Sequence, residues 1–202
     1  MKPILPALLL CCCLVAPSAP AFDLTPHFIT RITKGQAEHI PTFRDGETQY
    51  TVTLPGGVTA ASGGPGETVF YFRDFPEASF QMKASPFAQQ PPFNGPALQT
   101  YRRHALQCAP TGATDIALQE ETADPFPFND WSSYRYTLSY KLPGRSFLQS
   151  VTFLNLGSSQ QILLVTHAPS AEFERASSLS WDILRTWRPV SPGEDLSVPP
   201  PL

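Results

Sequence analysis

Apolar and polar positions alternate most cleanly in the second half of the chain. Tyr134, Tyr136, Leu138, Tyr140 and Leu142 are interleaved with Arg135, Thr137, Ser139 and Lys141. This two-residue period is that of a half-buried strand. Pro143-Gly144 supplies a tight turn into a second strand over Phe147–Asn155, so the two segments are predicted to form an antiparallel hairpin. Gly157-Ser158-Ser159 turns the chain again into Gln161–Thr166, where Ile162-Leu163-Leu164-Val165 has no polar face. A strand apolar on both sides belongs in the middle of a covered sheet. The period then changes to that of a helix, with Phe173, Ala176, Ser180, Ile183 and Trp187 on one face. Ser170 is the predicted N-cap, Glu172 and Glu174 suit the positive first turn, and Arg185 and Arg188 suit the last. Pro189 stops the helix.

The first half is written in shorter phrases. Tyr50, Val52 and Leu54 alternate with Thr51 and Thr53, Pro55-Gly56-Gly57 turns, and Val58–Ala61 predicts a second short strand. After the loop Ser62–Gly66 come strands at Thr68–Arg73, ended by Phe75-Pro76, and at Phe80–Ala84. Pro86–Gly95 is a connector without period. Leu98, Tyr101, Ala105 and Cys108 then mark one face of a helix, with Pro96 in its first turn and Pro110-Thr111-Gly112 beyond its end. Ile116–Glu121 predicts a further strand, and Asp124–Asp130 a Pro-stiffened aromatic loop.

Both ends of the chain read differently from its middle. Residues 1–21 have a lysine at the start, a short apolar run (Ile4–Val15) and small residues at Ala19 and Ala21. This is the order of a secretory signal, with cleavage expected between Ala21 and Phe22. Cys11, Cys12 and Cys13 raise a lipoprotein alternative, but each follows Leu or Cys where a small residue is wanted. Residues 22–45 show no clear period and are expected to be an N-terminal arm. A single globular domain is expected over 46–188, followed by a disordered, Pro-rich tail over 189–202.

Composition narrows the function classes. The 202 residues carry a net charge of −3, which removes the electrostatic case for nucleic acid. No apolar run reaches the roughly 18 residues of a stable membrane span. Cleavage of the signal would leave Cys108 as the only thiol, so the folded domain is expected to depend on its apolar core rather than on disulfides. An exported protein of bacterial type, periplasmic or extracellular, fits these features.

The stretch Trp131-Ser132-Ser133-Tyr134, the turn Leu142-Pro143-Gly144-Arg145, the segments Phe147–Leu154 and Gln160–Ala168, and the helix Glu172–Trp187 together resemble the PsbP-like superfamily. The resemblance extends over residues 46–188. It implies an α+β fold, an α/β/α sandwich in which helices cover both faces of a central antiparallel sheet. It also implies an exported accessory protein that docks on a larger assembly. No ligand or metal motif of that superfamily can be matched here residue by residue.

Candidate chemistry is sparse. His27, His39, His104 and His167 lack the close pairing typical of metal sites, so no metal or other cofactor is expected. His104 is expected to face solvent, and His167 to end the most buried strand. The Cys108–His104 pair has helical i, i+4 spacing, but the thiol lies on the apolar face and the imidazole off it. Glu120 and Glu121 are neighbours on a strand and point to opposite faces, so they do not flank one bond together. For recognition the candidates are Phe126, Phe128 and Trp131, rings carried on or beside the stiff loop. The sequence therefore predicts a non-catalytic accessory or binding protein that acts through surface contacts with an envelope or secreted protein partner. The alternatives are an exported hydrolase with a site assembled from distant residues, and a small-ligand or lipid carrier with a cavity near Tyr71, Phe72 and Phe80.

Overall fold

The computed structural model describes residues 22–87, 90–123, 131–156 and 161–198. The predicted signal sequence and the loop Asp124–Asp130 lie outside the described residues. Seven strands form one antiparallel sheet in the order β4 (Val58–Gly64), β5 (Glu67–Phe72), β6 (Phe75–Ala84), β10 (Gln161–Pro169), β9 (Arg145–Asn155), β8 (Ser133–Leu142) and β7 (Thr114–Ala123). A second, four-stranded sheet has the order β1 (Asp23–Thr33), β2 (Gln36–Asp45), β3 (Thr48–Thr51) and β11 (Arg188–Pro189). Two helices complete the described residues, α1 (Gly95–Gln107) and α2 (Phe173–Arg185).

The period-2 segments fold as read. β8 and β9 pair from Ser133↔Leu154 to Leu142↔Arg145, closed by the Pro143-Gly144 turn in which Gly144 takes φ 76. β10 lies between β6 and β9 at the centre of the sheet, which is why both of its faces are apolar. Its alternation divides the core in two. Ile162, Leu164 and Ala168 face α2 along with Phe70, Phe80 and Met82. Leu163 and Val165 face α1 along with Tyr136, Leu138, Val151 and Phe153.

The expected fold class is overturned. Strand accounts for 55% of the described residues and helix for 16%, and the strands build two sheets, so the molecule is mainly antiparallel β rather than a helix-covered α/β/α sandwich. The reason lies at the ends of the chain. Residues 22–45, expected as an arm, form the β1–β2 hairpin around Lys34-Gly35, both with positive φ (51 and 78), as a two-residue type I′ turn requires. The root of this hairpin is fixed to the large sheet: the Thr68 hydroxyl donates to the Leu24 carbonyl, and the Gly66 N–H donates to Thr25 Oγ1 at 2.8 Å. The segment after α2, expected to be disordered from 189, continues as β11 against β3, with the Val190 N–H donating to the Gln49 carbonyl at 2.7 Å. Leu196 is buried beyond it.

Trp187, read as the last residue of the helical stripe, sits just past α2 and ties that end of the chain to the four-stranded sheet. Its ring stacks on Phe43 at 5.2 Å and on Tyr50 at 5.4 Å, with Phe22 at 5.7 Å. The N-cap of α2 is Glu172 rather than Ser170, and no side chain caps it. No helix among the described residues is long and apolar enough to cross a membrane.

Candidate functional site

A cleft of about 1170 Å³ opens between the β1–β2 hairpin, the end of β3 and the start of β4. Its walls are Phe28, Thr30 and Arg31 from β1, residues 36–40 from β2, and the continuous stretch 51–60 that leaves β3 and enters β4. Arg73, Arg188 and Leu196 close its ends. The turn at Gly57, with φ 82, admits the chain into β4, and the Arg73 N–H donates to the Gly57 carbonyl at 2.8 Å. Phe28 is 44% exposed, a large apolar ring left open to the cleft.

The charges lining this cleft are unequal. Three arginines, Arg31, Arg73 and Arg188, face one carboxylate, Glu38. Arg31 pairs with Glu38 at 2.7 Å, and Arg188 pairs with Glu194 at 2.6 Å. The Arg188 hydrogen bond and the Ser191 N–H hold the Glu194 carboxyl down at about 2, and the same pairing raises Arg188. Arg73 has no acidic partner among the described residues. One guanidinium in excess, Arg73, on a chain of net charge −3 is a local positive site on an acidic molecule.

Reactive pairs are not gathered there. Glu38 and His39 are the cleft's titratable acid and base, and His39 is engaged by the Thr30 hydroxyl at 3.3 Å. His104 lies elsewhere and is half-buried, edge-on to Phe87, with its imidazole pushed down by desolvation and then by Lys83. This departs from the solvent-facing position expected for it. Burial pushes the neighbouring Cys108 thiol up, and Lys83 only partly opposes this, which disfavours a thiolate. Glu121 bonds to Arg102 of α1, whereas Glu120 lies near Arg135 of β8, so the two carboxylates serve separate pairs. His27 pairs across the hairpin with Thr42 and His39 with Thr30, and the described residues contain no group of three potential metal ligands.

A second cluster lies on the α1 side of the large sheet. Tyr140, Phe147 and His167 stack nearly parallel, with Phe147 and His167 at 5.0 Å, and the Tyr140 hydroxyl shares a hydrogen bond with His167 Nδ1. Desolvation raises the phenol and lowers the imidazole, while Glu77 opposes the latter shift. A neutral phenol bonded to a neutral imidazole between rings is a packing lock.

Of the recognition residues read from the sequence, Trp131 is half-buried and packs against the larger core cluster. Phe126 and Phe128 lie outside the described residues. Tyr71 is half-exposed, while Phe72 and Phe80 are buried on the opposite face, so these three do not line one cavity. The cleft arginines were missed because they stand far apart in sequence, and only the crossing of the hairpin over β4 brings them together.

No protein-family model and no curated protein sequence matches this chain. Solved structures give likenesses of chain path at low identity. Among them, a protein of unknown function from Pseudomonas aeruginosa is 15% identical, with 82% of this chain and 99% of that one covered and a TM-score of 0.43. The cyanobacterial PsbP of Synechocystis is 20% identical over 69% of this chain and 85% of that one, with a TM-score of 0.45. The Saccharomyces cerevisiae Ran-binding protein Mog1p is 9% identical over 81% and 95%, with a TM-score of 0.44. The PsbP-like resemblance thus returns as one of several likenesses of chain path, and none carries a functional argument.

Proposed function

We propose that this is an exported, non-catalytic binding protein that holds an acidic protein partner in the cleft between its two sheets. The observation that carries this reading is the charge of the cleft: Arg31 is paired with Glu38 and Arg188 with Glu194, which leaves Arg73 uncommitted in a cleft that also exposes Phe28. Guanidinium groups bind carboxylates with directed, charge-assisted hydrogen bonds, and a neighbouring aromatic ring adds apolar contact. The export part of the reading rests on the signal-like order of residues 1–21, and N-terminal sequencing of the mature protein should return Phe22. A chain starting there keeps its first ring in the core, packed on Tyr50 and Trp187.

Site-specific photo-crosslinking in living cells tests the binding part. A photoreactive residue at Phe28 should give a discrete crosslinked partner, and the product should fall when Arg73→Glu is added. The same group at Tyr71, exposed but outside the cleft, should give none. Equal products at the two positions would overturn the reading.

A further inference from the structure

The seven-stranded sheet ends in two edges that are built differently. At one edge, β7 carries Asp115, Glu120 and Glu121, two register shifts and a residue with positive φ, Asp115. Charges and bulges on an edge are the usual devices against pairing with another chain. At the other edge, β4 reads Val-Thr-Ala-Ala-Ser-Gly-Gly, with no charge and no proline, and its one register shift lies at its far end between Ser62 and Gly64. The cleft runs along the start of this plain edge, from Gly56 to Ala60.

The register states which backbone groups point outward. The Arg73 N–H bonds to the Gly57 carbonyl, and Val58 pairs with Phe72, Thr59 with Tyr71 and Ala61 with Val69. Bonded rungs alternate with open ones in an antiparallel pair, so 57/73, 59/71 and 61/69 are the bonded rungs. The N–H and C=O groups of Ala60 and Ser62, and the C=O of Val58, therefore face away from β5. The Val58 N–H is already taken by the Pro55 carbonyl at 3.1 Å.

Resting on the cleft reading above, we propose that the partner enters as an extended acidic segment that adds to the outer edge of β4 as an eighth strand. Main-chain hydrogen bonds to Ala60 and Ser62 give the segment its direction. Carboxylates on one face of it meet Arg73, which β4's own edge residues, all uncharged, leave unopposed. The occupant is another protein rather than a second copy of this chain, because two β4 strands meeting edge to edge would bring Arg73 of each copy no carboxylate from Val58–Gly64.

The test titrates the full mature chain with a fluorescein-labelled peptide of alternating Glu and Val, blocked at both ends. Saturable binding is expected, weakened about tenfold or more when Lys replaces Glu and when Arg73→Glu is introduced. Ala60→Pro removes an outward donor while leaving the β5 rungs intact, and it should weaken binding about tenfold with little change in melting temperature. Two N-methylated peptides guard against misfolding of that variant. Methylation of alternate amides in the phase that faces β4 should abolish binding, and methylation in the other phase should not. If A60P and both methylated peptides bind like the parents while Arg73→Glu still weakens binding, strand addition is wrong and the cleft reading stands. If the Glu peptide does not bind at all, or binds Arg73→Glu equally well, the cleft reading itself fails. A concentration-dependent dimer of the unliganded chain that A60P dissolves would assign the edge to a second copy and overturn the proposal.

Discussion

The two faces of the seven-stranded sheet are held by different physics. On the α2 face, Phe173, Ala176, Ile183 and Leu184 meet Phe70, Phe80 and Met82, and the four-stranded sheet extends the layer through Phe43, Tyr50 and Trp187. These contacts are apolar and without direction, so their strength follows the area withdrawn from water. On the α1 face, phenylalanines such as Phe153 are joined by tyrosines with tethered hydroxyls. Tyr101 donates to the Pro91 carbonyl at 2.7 Å and Tyr136 to the Leu98 carbonyl at 2.9 Å, while Gln161 donates to Tyr101 at 2.9 Å and accepts from Ser85 at 2.5 Å. The first face resists replacement of bulk. The second specifies where α1 and its connector sit, because a buried polar group misplaced by an ångström or two loses its partner at full desolvation cost.

The largest effect should come from the α2 face. Trp187→Ala removes the ring that ties the end of α2 to Phe43 and Tyr50 of the four-stranded sheet and should cost about 3–5 kcal/mol, read as a shifted urea midpoint. Trp187→Phe should cost much less, because the indole Nε1 is buried without a hydrogen-bond partner among the described residues and is not missed. If the two replacements cost the same, the claim that Trp187 acts through its bulk fails. On the α1 face, Gln161→Leu keeps the volume but withdraws three hydrogen bonds, and should cost about 2 kcal/mol. A neutral outcome there would put the α1 face in the same class as the α2 face.

Legibility in the sequence follows the same division between buried and exposed segments. Segments buried on one or both faces declare themselves: the alternation from Tyr134 to Leu142, the apolar run of β10 and the stripe of α2 were all readable, because burial dictates residue type. The β1–β2 hairpin was not. Beyond Leu24 and Pro26, β1 alternates exposed positions (Phe28, Thr30, Ile32) with half-buried ones (Ile29, Arg31, Thr33), and apolar residues stand on both faces, so no period is written. Lys34-Gly35 was the available signal, a Gly-containing pair following a segment rich in Thr and Ile. Missing this hairpin hid the second sheet, and with it the cleft. The tail was misread because composition alone predicts disorder for a Pro-rich end, whereas Pro189 sits on an edge strand where a missing N–H costs nothing. The arginines of the cleft carry no local pattern at all, since residues 31, 73 and 188 meet only through tertiary crossing.

A smaller, acidity-dependent effect distinguishes the α1 face again. Burial lowers the imidazoles of both His104 and His167 below the ordinary 6.5. The unfolded chain therefore takes up protons more readily than the folded one as the pH falls past 6.5. Stability should be fully present above that value and should decline below it, through the depressed folded range. Denaturant unfolding across this window should show the slope, and His104→Gln with His167→Gln should flatten it. A slope that survives both replacements would assign the dependence to other groups. The α2 face contributes no histidine to its apolar cluster, so Trp187→Phe should leave the slope unchanged.

The smallest effect belongs to the outer hairpin, which lies beyond both faces. Arg31 and Glu38 pair at 2.7 Å with side chains 23% and 44% exposed, and Arg31 reaches the same carboxylate through Nε at 3.0 Å. The geometry is good, but exposure lets water and salt compete, so Arg31→Ala should change stability by less than about 1 kcal/mol. The hairpin is secured instead at its root, where Leu24 is fully buried and its carbonyl accepts from Thr68. If Arg31→Ala melted the hairpin, as read by loss of amide protection from Ile29 to Ile40 in hydrogen exchange, the outer strands would depend on their own ion pair. The cleft wall would then be a conditional structure rather than a fixed one. Protection that persists to Arg31 and Glu38 in the variant would instead mean that the wall stands by its backbone ladder, leaving both side chains available to a partner's carboxylates and amides.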